Sequence, residues 1–269
     1  MPEPASSATV VITRPAQQAG PLAERIAALG LNVALLPLLE IHALHQPEEC
    51  AQLKSVLARL ADYALVAFVS PNAIDCAFAH LNTWPSGVAL AVVGEGSRLA
   101  LGTHGVNDGN ASITSPLDTA RSDSEHLLLA LDLPSLRGKR VLIVRGDGGR
   151  DFLADGLRAA GAQVDFVTAY RRAVPALTPA LRATLEQLLQ HNNDWIITSS
   201  EALRGLLSLL SEMDGEMDEE TAFVVKMKQQ HLIVPHARIA QSAAELGFAR
   251  VTLTGSGDAG VLAALQSRP

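Results

Sequence analysis

An internal repeat narrows what this chain can become more than any other feature. A shift of 131 residues lays Val10, Ile12, Arg14, Leu22, Ala23, Ala28, Gly30 and Val33 over Val141, Ile143, Arg145, Leu153, Ala154, Ala159, Gly161 and Val164 without a gap. Eight identities in 24 positions, all at strand, turn or helix-stop sites, exceed what a chain rich in Leu and Ala gives by chance. Each copy reads as an apolar strand ending in an arginine, a helix, a glycine that stops it, and a second extended run. A looser match joins Phe68-Val69-Ser70-Pro71-Asn72-Ala73 to Ile197-Thr198-Ser199-Ser200-Glu201-Ala202. Two similar α/β units follow from this. A cleft between duplicated domains is the expected place for a small ligand.

Composition agrees. The chain has 269 residues, 48% of them hydrophobic and only 4% aromatic, enough for two domains of helices and buried parallel strands. Strands are expected at 9–13, 62–69, 88–93, 112–114, 141–144, 194–198, 232–234 and 251–254. Helices are expected at about 21–29, 47–60, 73–81, 151–160, 179–190, 235–246 and 258–266, and others are expected to open at 94–97, at Ser124 and after 199–202. This alternation predicts parallel sheets covered by helices. Pro37 inside the extended run 31–44, and Val174-Pro175 later, mark crossings between domains. Residues 212–220 are acidic and read as a loop.

Several functions are excluded or disfavoured. A net charge of −7 and a pI near 5.6 argue against nucleic acid or an anionic membrane as partner. Cys50 and Cys76 stand in no metal-like spacing and fit a reduced, cytoplasmic setting. No apolar run reaches membrane-spanning length, and the first residues lack the pattern of a secretory signal. The dinucleotide fingerprint fails at both glycine turns, where Leu99 and Asp151 stand in place of its third glycine. No G-x-S-x-G elbow exists. His42 and His45, three apart on an extended run, point to opposite faces, so no metal site is expected.

Small hydroxyl residues recur where strands end and helices begin: Ser70, Ser97, Ser199 and Ser200. Helix capping is one account of them. Ligand contact is the other, because open α/β sheets bind at the carboxyl ends of their strands and helix N-termini favour anions. Arg14 and Arg145 end strands at the same edge, with structural ion pairs as the alternative. Arg150 and Arg171 read as solvated cations able to steer an acidic substrate. The turn Gly146 to Gly149 before its helix is ready to hold an anion. Tyr170, one of two tyrosines in the chain, ends a strand where the first copy has Leu39. A tyrosine capping the core is its ordinary reading.

The motifs together resemble a known family. V-V-I-T-R-P at 10–15, S-P-N-A at 70–73, A-V-V-G-x-G-S at 91–97 and S-E-x-L-L at 124–128 come first. V-L-I-V-R-G-x-G-G-R at 141–150, A-Y-R-R at 169–172, I-T-S-S-E-A at 197–202 and A-A-E-L-G-F-A-R-V at 243–251 follow, in the order and spacing of bacterial-type uroporphyrinogen-III synthases. The resemblance covers nearly the whole chain, with Ser97 where threonine is common. It implies two flavodoxin-like α/β domains joined by a two-stranded linker with a cleft between them. Residues 1–38 plus 173–269 would form one domain and 39–172 the other.

The resemblance further implies cyclisation of hydroxymethylbilane, a linear tetrapyrrole with eight carboxylates, to uroporphyrinogen III. The last ring is inverted through a spiro intermediate and water is released, without metal or organic cofactor. Tyr170 matches the tyrosine that would protonate the leaving hydroxyl. Arg14, Ser70, Ser97, Arg145, Ser199 and Ser200 would bind substrate. A cytoplasmic monomer is expected, with room for transient contact with neighbouring pathway enzymes. A cytosolic two-domain binding or sensor protein, and a flavin-binding module, are the competing readings.

Overall fold

The computed structural model describes residues 8–118, 123–215 and 222–267. The chain runs β1 Val10–Ile12, α1 Ala16–Ala27, β2 Val33–Leu35, β3 Glu40–Ala43, α2 Pro47–Leu57, β4 Leu65–Phe68, α3 Pro71–Phe78, β5 Ala89–Val92, α4 Glu95–Thr103, β6 Ile113–Thr114 and α5 Ser124–Ala130. It continues β7 Arg140–Gly146, α6 Phe152–Ala159, β8 Gln163–Ala173, α7 Pro179–Leu188, β9 Asp194–Ile196, α8 Ser200–Asp214, α9 Phe223–Lys228, β10 His231–Val234, α10 Ala237–Glu245, β11 Val251–Leu253 and α11 Gly257–Gln266. Two compact units result, one from the residues up to Glu40 together with those from Ala173 onward, the other from Ile41–Arg172.

The first unit holds a sheet of order β11-β10-β9-β1-β2, all parallel in the paired strands. The second holds β3-β8-β7-β4-β5-β6. Without β3 the two orders superpose: β2, β1, β9, β10, β11 lie as β8, β7, β4, β5, β6 do. Both have the 2-1-3-4-5 order of flavodoxin-like sheets, but the second unit enters it at a different strand. The repeat holds at the level of register, since Val10 pairs with Val33 as Val141 pairs with Val164. Gly30 and Gly161, also equivalent, take φ of 76° and 91° just past α1 and α6, where a side chain would be strained.

Central strands are apolar on both faces because helices cover both. Val10 and Ile12 join Leu22, Ile26, Val261 and Leu265 in one core, while Val11 and Trp195 join Leu185, Leu203, Leu206 and Ile239 in the other. In the second unit Leu65, Ala67, Val141 and Ile143 pack with Leu127, Leu153 and Leu157. Val66, Phe68, Leu142 and Val144 pack with Leu53, Ile74 and Leu101. Each such side chain contributes about 1.5–3 kcal/mol when fully buried.

Four elements depart from the expected pattern. The first helix begins at Ala16, five residues earlier than expected. Pro15 sets φ at −48° before Ala-Gln-Gln-Ala, which are good helix formers, so the turn closes at once and Pro21 is accepted inside the helix. In the second copy the same positions are Asp147-Gly148-Gly149-Arg150, and α6 waits until Phe152. The strand expected from Asp62 begins at Leu65, because Leu60–Asp62 closes a 3-10 turn. Residues 212–214 extend α8 instead of opening a loop, and 216–221 lie outside the described residues. Helix α9, six residues long, has no counterpart among the expected elements.

An electrostatic cluster ties the amino ends of β7 and β8. Arg140 donates to Asp165 at 2.7 Å and to the Tyr63 hydroxyl at 3.0 Å, and Tyr63 donates to Asp165 at 3.0 Å. The Arg140 hydrogen bond chiefly holds the Asp165 carboxyl below the usual aspartate range. A depressed folded-state value adds stability above the unfolded value, about pH 3.9, that is lost as pH falls through the folded one. Asp165→Asn should therefore flatten the loss of stability as pH falls below about 5, through the unfolded value and on toward the lower folded one. Denaturant titrations of both proteins across that range measure it, and parallel slopes would remove Asp165 from the acid response.

Candidate active site

With both sheet faces buried, polar groups reach a ligand at the carboxyl ends of the strands. In the second unit β4 ends at Phe68, and Ser70 caps α3 by accepting the Ala73 N–H at 3.1 Å. Pro71 occupies the first helical position, where its fixed φ and missing N–H cost nothing. On the neighbouring strand, β7, Gly146 ends the run. Beyond it lies β8 with Tyr170, which is only 5% exposed.

A bulge sets the direction of Tyr170. Arg145 pairs with Thr168, but Gly146 pairs with Tyr170, so β8 spends one extra residue there. Ala169 and Tyr170 consequently both pack in the core that contains Ala73 and Ile74 of α3, which strict alternation forbids. The Tyr170 hydroxyl comes to 3.0 Å from Ser70 Oγ. Its ring lies against the bare Cα of Gly146, where an added Cβ would stand 2.9 Å from Tyr170 Cζ. The Asp147 N–H donates to the Tyr170 carbonyl at 3.1 Å and fixes the backbone beyond the bulge.

Ser97 departs from expectation. Gly94 is the cap of α4, so Ser97 lies inside the first turn and not at the strand end, with its amide donating to the Gly94 carbonyl at 3.0 Å. Its hydroxyl is buried and has no hydrogen-bond partner among the described residues. Its helix neighbours α3, since a Cβ on Gly96 would stand 3.7 Å from Pro71 Cγ. Arg145 turns to the other face of the sheet, over the Phe166 ring at 4.4 Å and against Asp151 at 2.7 Å. Arg150 and Arg171 are not free cations either: Arg150 pairs with Glu125, and Arg171 with Glu49 and, at 3.7 Å, Asp147.

In the first unit Ser199 caps α8, accepting the Ala202 N–H at 3.3 Å. Ser200, the first helical residue, has a buried hydroxyl without a partner among the described residues. Thr13 spends its hydroxyl on the Ile196 carbonyl at 2.7 Å, closing the gap between β1 and β9. Arg14 is held by Asp258 in the first turn of α11 at 2.5 Å. Sequence reasoning places Gly146 in an anion-ready turn and Asp258 at a helix start, but it does not show that Gly146 lies against Tyr170 or that Asp258 pairs with Arg14. A glycine ending a strand beside one that carries a tyrosine is a usable signal for Gly146, whereas Asp258 lies 244 positions from its partner and leaves no local trace.

Among the described residues no cluster of His, Cys, Asp and Glu could hold a metal, and no helix is long and apolar enough to cross a membrane. The family model described as "Uroporphyrinogen-III synthase HemD" matches residues 20–254. The chain belongs to the uroporphyrinogen-III synthase family. Relatives of that name include one from Salmonella typhimurium, 32% identical over 93% of this chain and 96% of its own, and one from Escherichia coli, 30% identical over the same shares. The fold is shared with a solved uroporphyrinogen-III synthetase from Helicobacter pylori, at 16% identity and a TM-score of 0.60 over 97% of this chain and 100% of that one.

The two adjacent serines of α8 separate capping from other roles. Ser199→Ala should lower unfolding stability by about 1 kcal/mol, whereas Ser200→Ala, which removes a buried hydroxyl with no partner among the described residues, should stay within about 0.5 kcal/mol or gain. Urea unfolding of both variants decides it; equal losses would mean that Ser200 has a structural partner.

Proposed function

We propose that the chain cyclises hydroxymethylbilane to uroporphyrinogen III, and that Tyr170 is the acid that releases water from the terminal hydroxymethyl group. The observation that carries this is the buried Tyr170 hydroxyl at the carboxyl edge of the second sheet, beside the cap of α3. The substrate closes unaided to the unrotated isomer, so the enzyme's task is chiefly to decide which ring carbon meets the electrophile. Holding the carboxylates fixes the fold of the linear chain. Amide groups at the N-termini of α3, α4 and α8 suit such anions, with the hydroxyls of Ser97 and Ser200 as donors that have no partner among the described residues.

The proton goes from the Tyr170 oxygen to the hydroxymethyl oxygen. The carbon–oxygen bond breaks with its electron pair on the departing water, and the ring nitrogen feeds the resulting cation. Attack at the substituted carbon of the last ring gives the spiro centre. Fragmentation and reclosure invert that ring, and the ring carbon that regains aromaticity releases the proton that restores the phenol. One proton enters, one leaves, and the net loss is water. The same reading places the chain in the cytoplasm as a monomer, open to transient contact with the enzymes before and after it.

Arg14 and Arg145 already hold Asp258 and Asp151, so a substrate carboxylate would share their guanidinium donors or displace those aspartates. Both pairs are partly exposed, so the exchange costs little.

Supplied with enzymatically generated hydroxymethylbilane, the protein should yield the type III isomer by chromatography; type I alone would overturn the assignment. Tyr170→Phe should keep its fold and lose about 10²–10⁴-fold in kcat, the usual share of a general acid. Asp258→Asn, which frees Arg14, should lower KM about 3-fold with kcat unchanged. An unaltered KM would leave Arg14 a purely structural partner.

A further inference from the structure

We propose that Ser70 and Gly146 are positioning residues for Tyr170. On this assignment the Ser70 hydroxyl donates to the phenolic oxygen, and the absence of a side chain at 146 makes the seat for the ring. The inference rests on Tyr170 being the acid, and it gives Ser70 a different role from binding a substrate carboxylate.

Proton accounting at the pair carries the argument. Ser70 Oγ already accepts the Ala73 N–H at 3.1 Å, and it lies 3.0 Å from Tyr170 Oη. One proton must lie between the two oxygens. If Tyr170 supplies it, the phenol's only proton is spent inside the protein and none faces a substrate. If Ser70 supplies it, the phenolic proton points away from Ser70 and stays available. In the second arrangement the serine oxygen accepts the amide N–H and its single proton is engaged by the phenolic oxygen, which leaves the phenolic proton for a substrate.

Donation from Ser70 also acts at the right moment. As the proton leaves, the phenolic oxygen gains negative charge and the Ser70 hydrogen bond becomes charge-assisted, roughly twice as strong as a neutral one. The gain is made in the transition state and not in substrate binding, so it belongs to kcat.

Geometry holds the pair in place. Ser70 is pinned by its cap and by Pro71, with φ −165° and ψ 156°. Tyr170 is turned toward it by the bulge at Arg145/Gly146. Its ring stacks so closely on Gly146 that a methyl group there would meet Cζ at 2.9 Å, Cε2 at 3.0 Å and the hydroxyl at 3.2 Å. All three atoms belong to the one rigid phenol, packed in the core, so Ala at 146 moves the phenol and not a flexible chain end.

The test separates capping from donation. Aspartate caps a helix as well as serine does, but an ionised carboxylate has no proton to give. Ser70→Asp should therefore fold with an unchanged melting temperature and lose about 10- to 100-fold in kcat with little change in KM. Ser70→Thr, which keeps the hydroxyl, should recover most of that loss. Gly146→Ala should lower kcat in the wild-type background and add no further loss to Tyr170→Phe, although the protein stays folded by circular dichroism. Wild-type kcat in Ser70→Asp overturns the proposal, as does a rise confined to KM, which would make Ser70 a substrate ligand. An undiminished Tyr170→Phe overturns the acid assignment and this inference together. A slow Tyr170→Phe beside a fast Ser70→Asp overturns this inference alone.

Discussion

Burial of the parallel strands on both faces governs where this chain can do chemistry. Val10, Val11, Ile12, Val66, Phe68, Leu142 and Val144 are all sealed under helices, and an unpaired polar group among them would cost a few kcal/mol. Donors and acids are thereby driven to the strand ends. There the helices also begin, and their unpaired amides are already directed outward. A sheet of this kind has one productive edge, and Ser70, Gly146 and Tyr170 stand on it in the second unit as Thr13, Ser199 and Ser200 do in the first.

Much of this architecture is legible from residue patterns, because periodicity and punctuation are local. Strand cores, the glycine stops at Gly30 and Gly161, and the caps at Ser70 and Ser199 follow from a few adjacent residues each. The first helix was misplaced for an equally local reason. Pro21 is a good first residue of a helix, but Pro15 followed by four helix formers is a better one, and the earlier signal wins. Counting from the strand puts Ser97 at a helix entry, but Gly94 takes the cap, which places the serine three residues inward and buries it.

What stayed hidden depends on contacts between distant segments. Arg14 and Asp258, Arg171 and Glu49, and Arg150 and Glu125 are ion pairs across 244, 122 and 25 positions, so a cation that reads as free can be held by a partner no motif announces. The bulge in β8 is hidden for a different reason. Alternation assigns Tyr170 to the face of Phe166 and Thr168, and a single unpaired residue reverses that assignment. Sequence therefore marked the tyrosine without the surroundings that would give it work.

The repeat clarifies why only one copy carries the buried tyrosine. Both copies begin with the same strand, helix and glycine stop, but they leave the sheet differently. In the first, β2 ends at Leu35 and the chain departs through Pro37, so Leu39, the equivalent of Tyr170, is no longer in that sheet. In the second, β8 runs eleven residues and its bulge falls beside Gly146, whose equivalent is Pro15. Proline there starts a helix at once and brings a ring of its own. Glycine delays the helix and leaves a space the size of a phenol. The difference between a scaffold strand and one that presents a tyrosine thus lies in the few residues after the equivalent arginines: Pro15 and Ala16–Ala19 start a helix at once, whereas Gly146 leaves room beside the sheet and residues 147–150 delay α6 to Phe152.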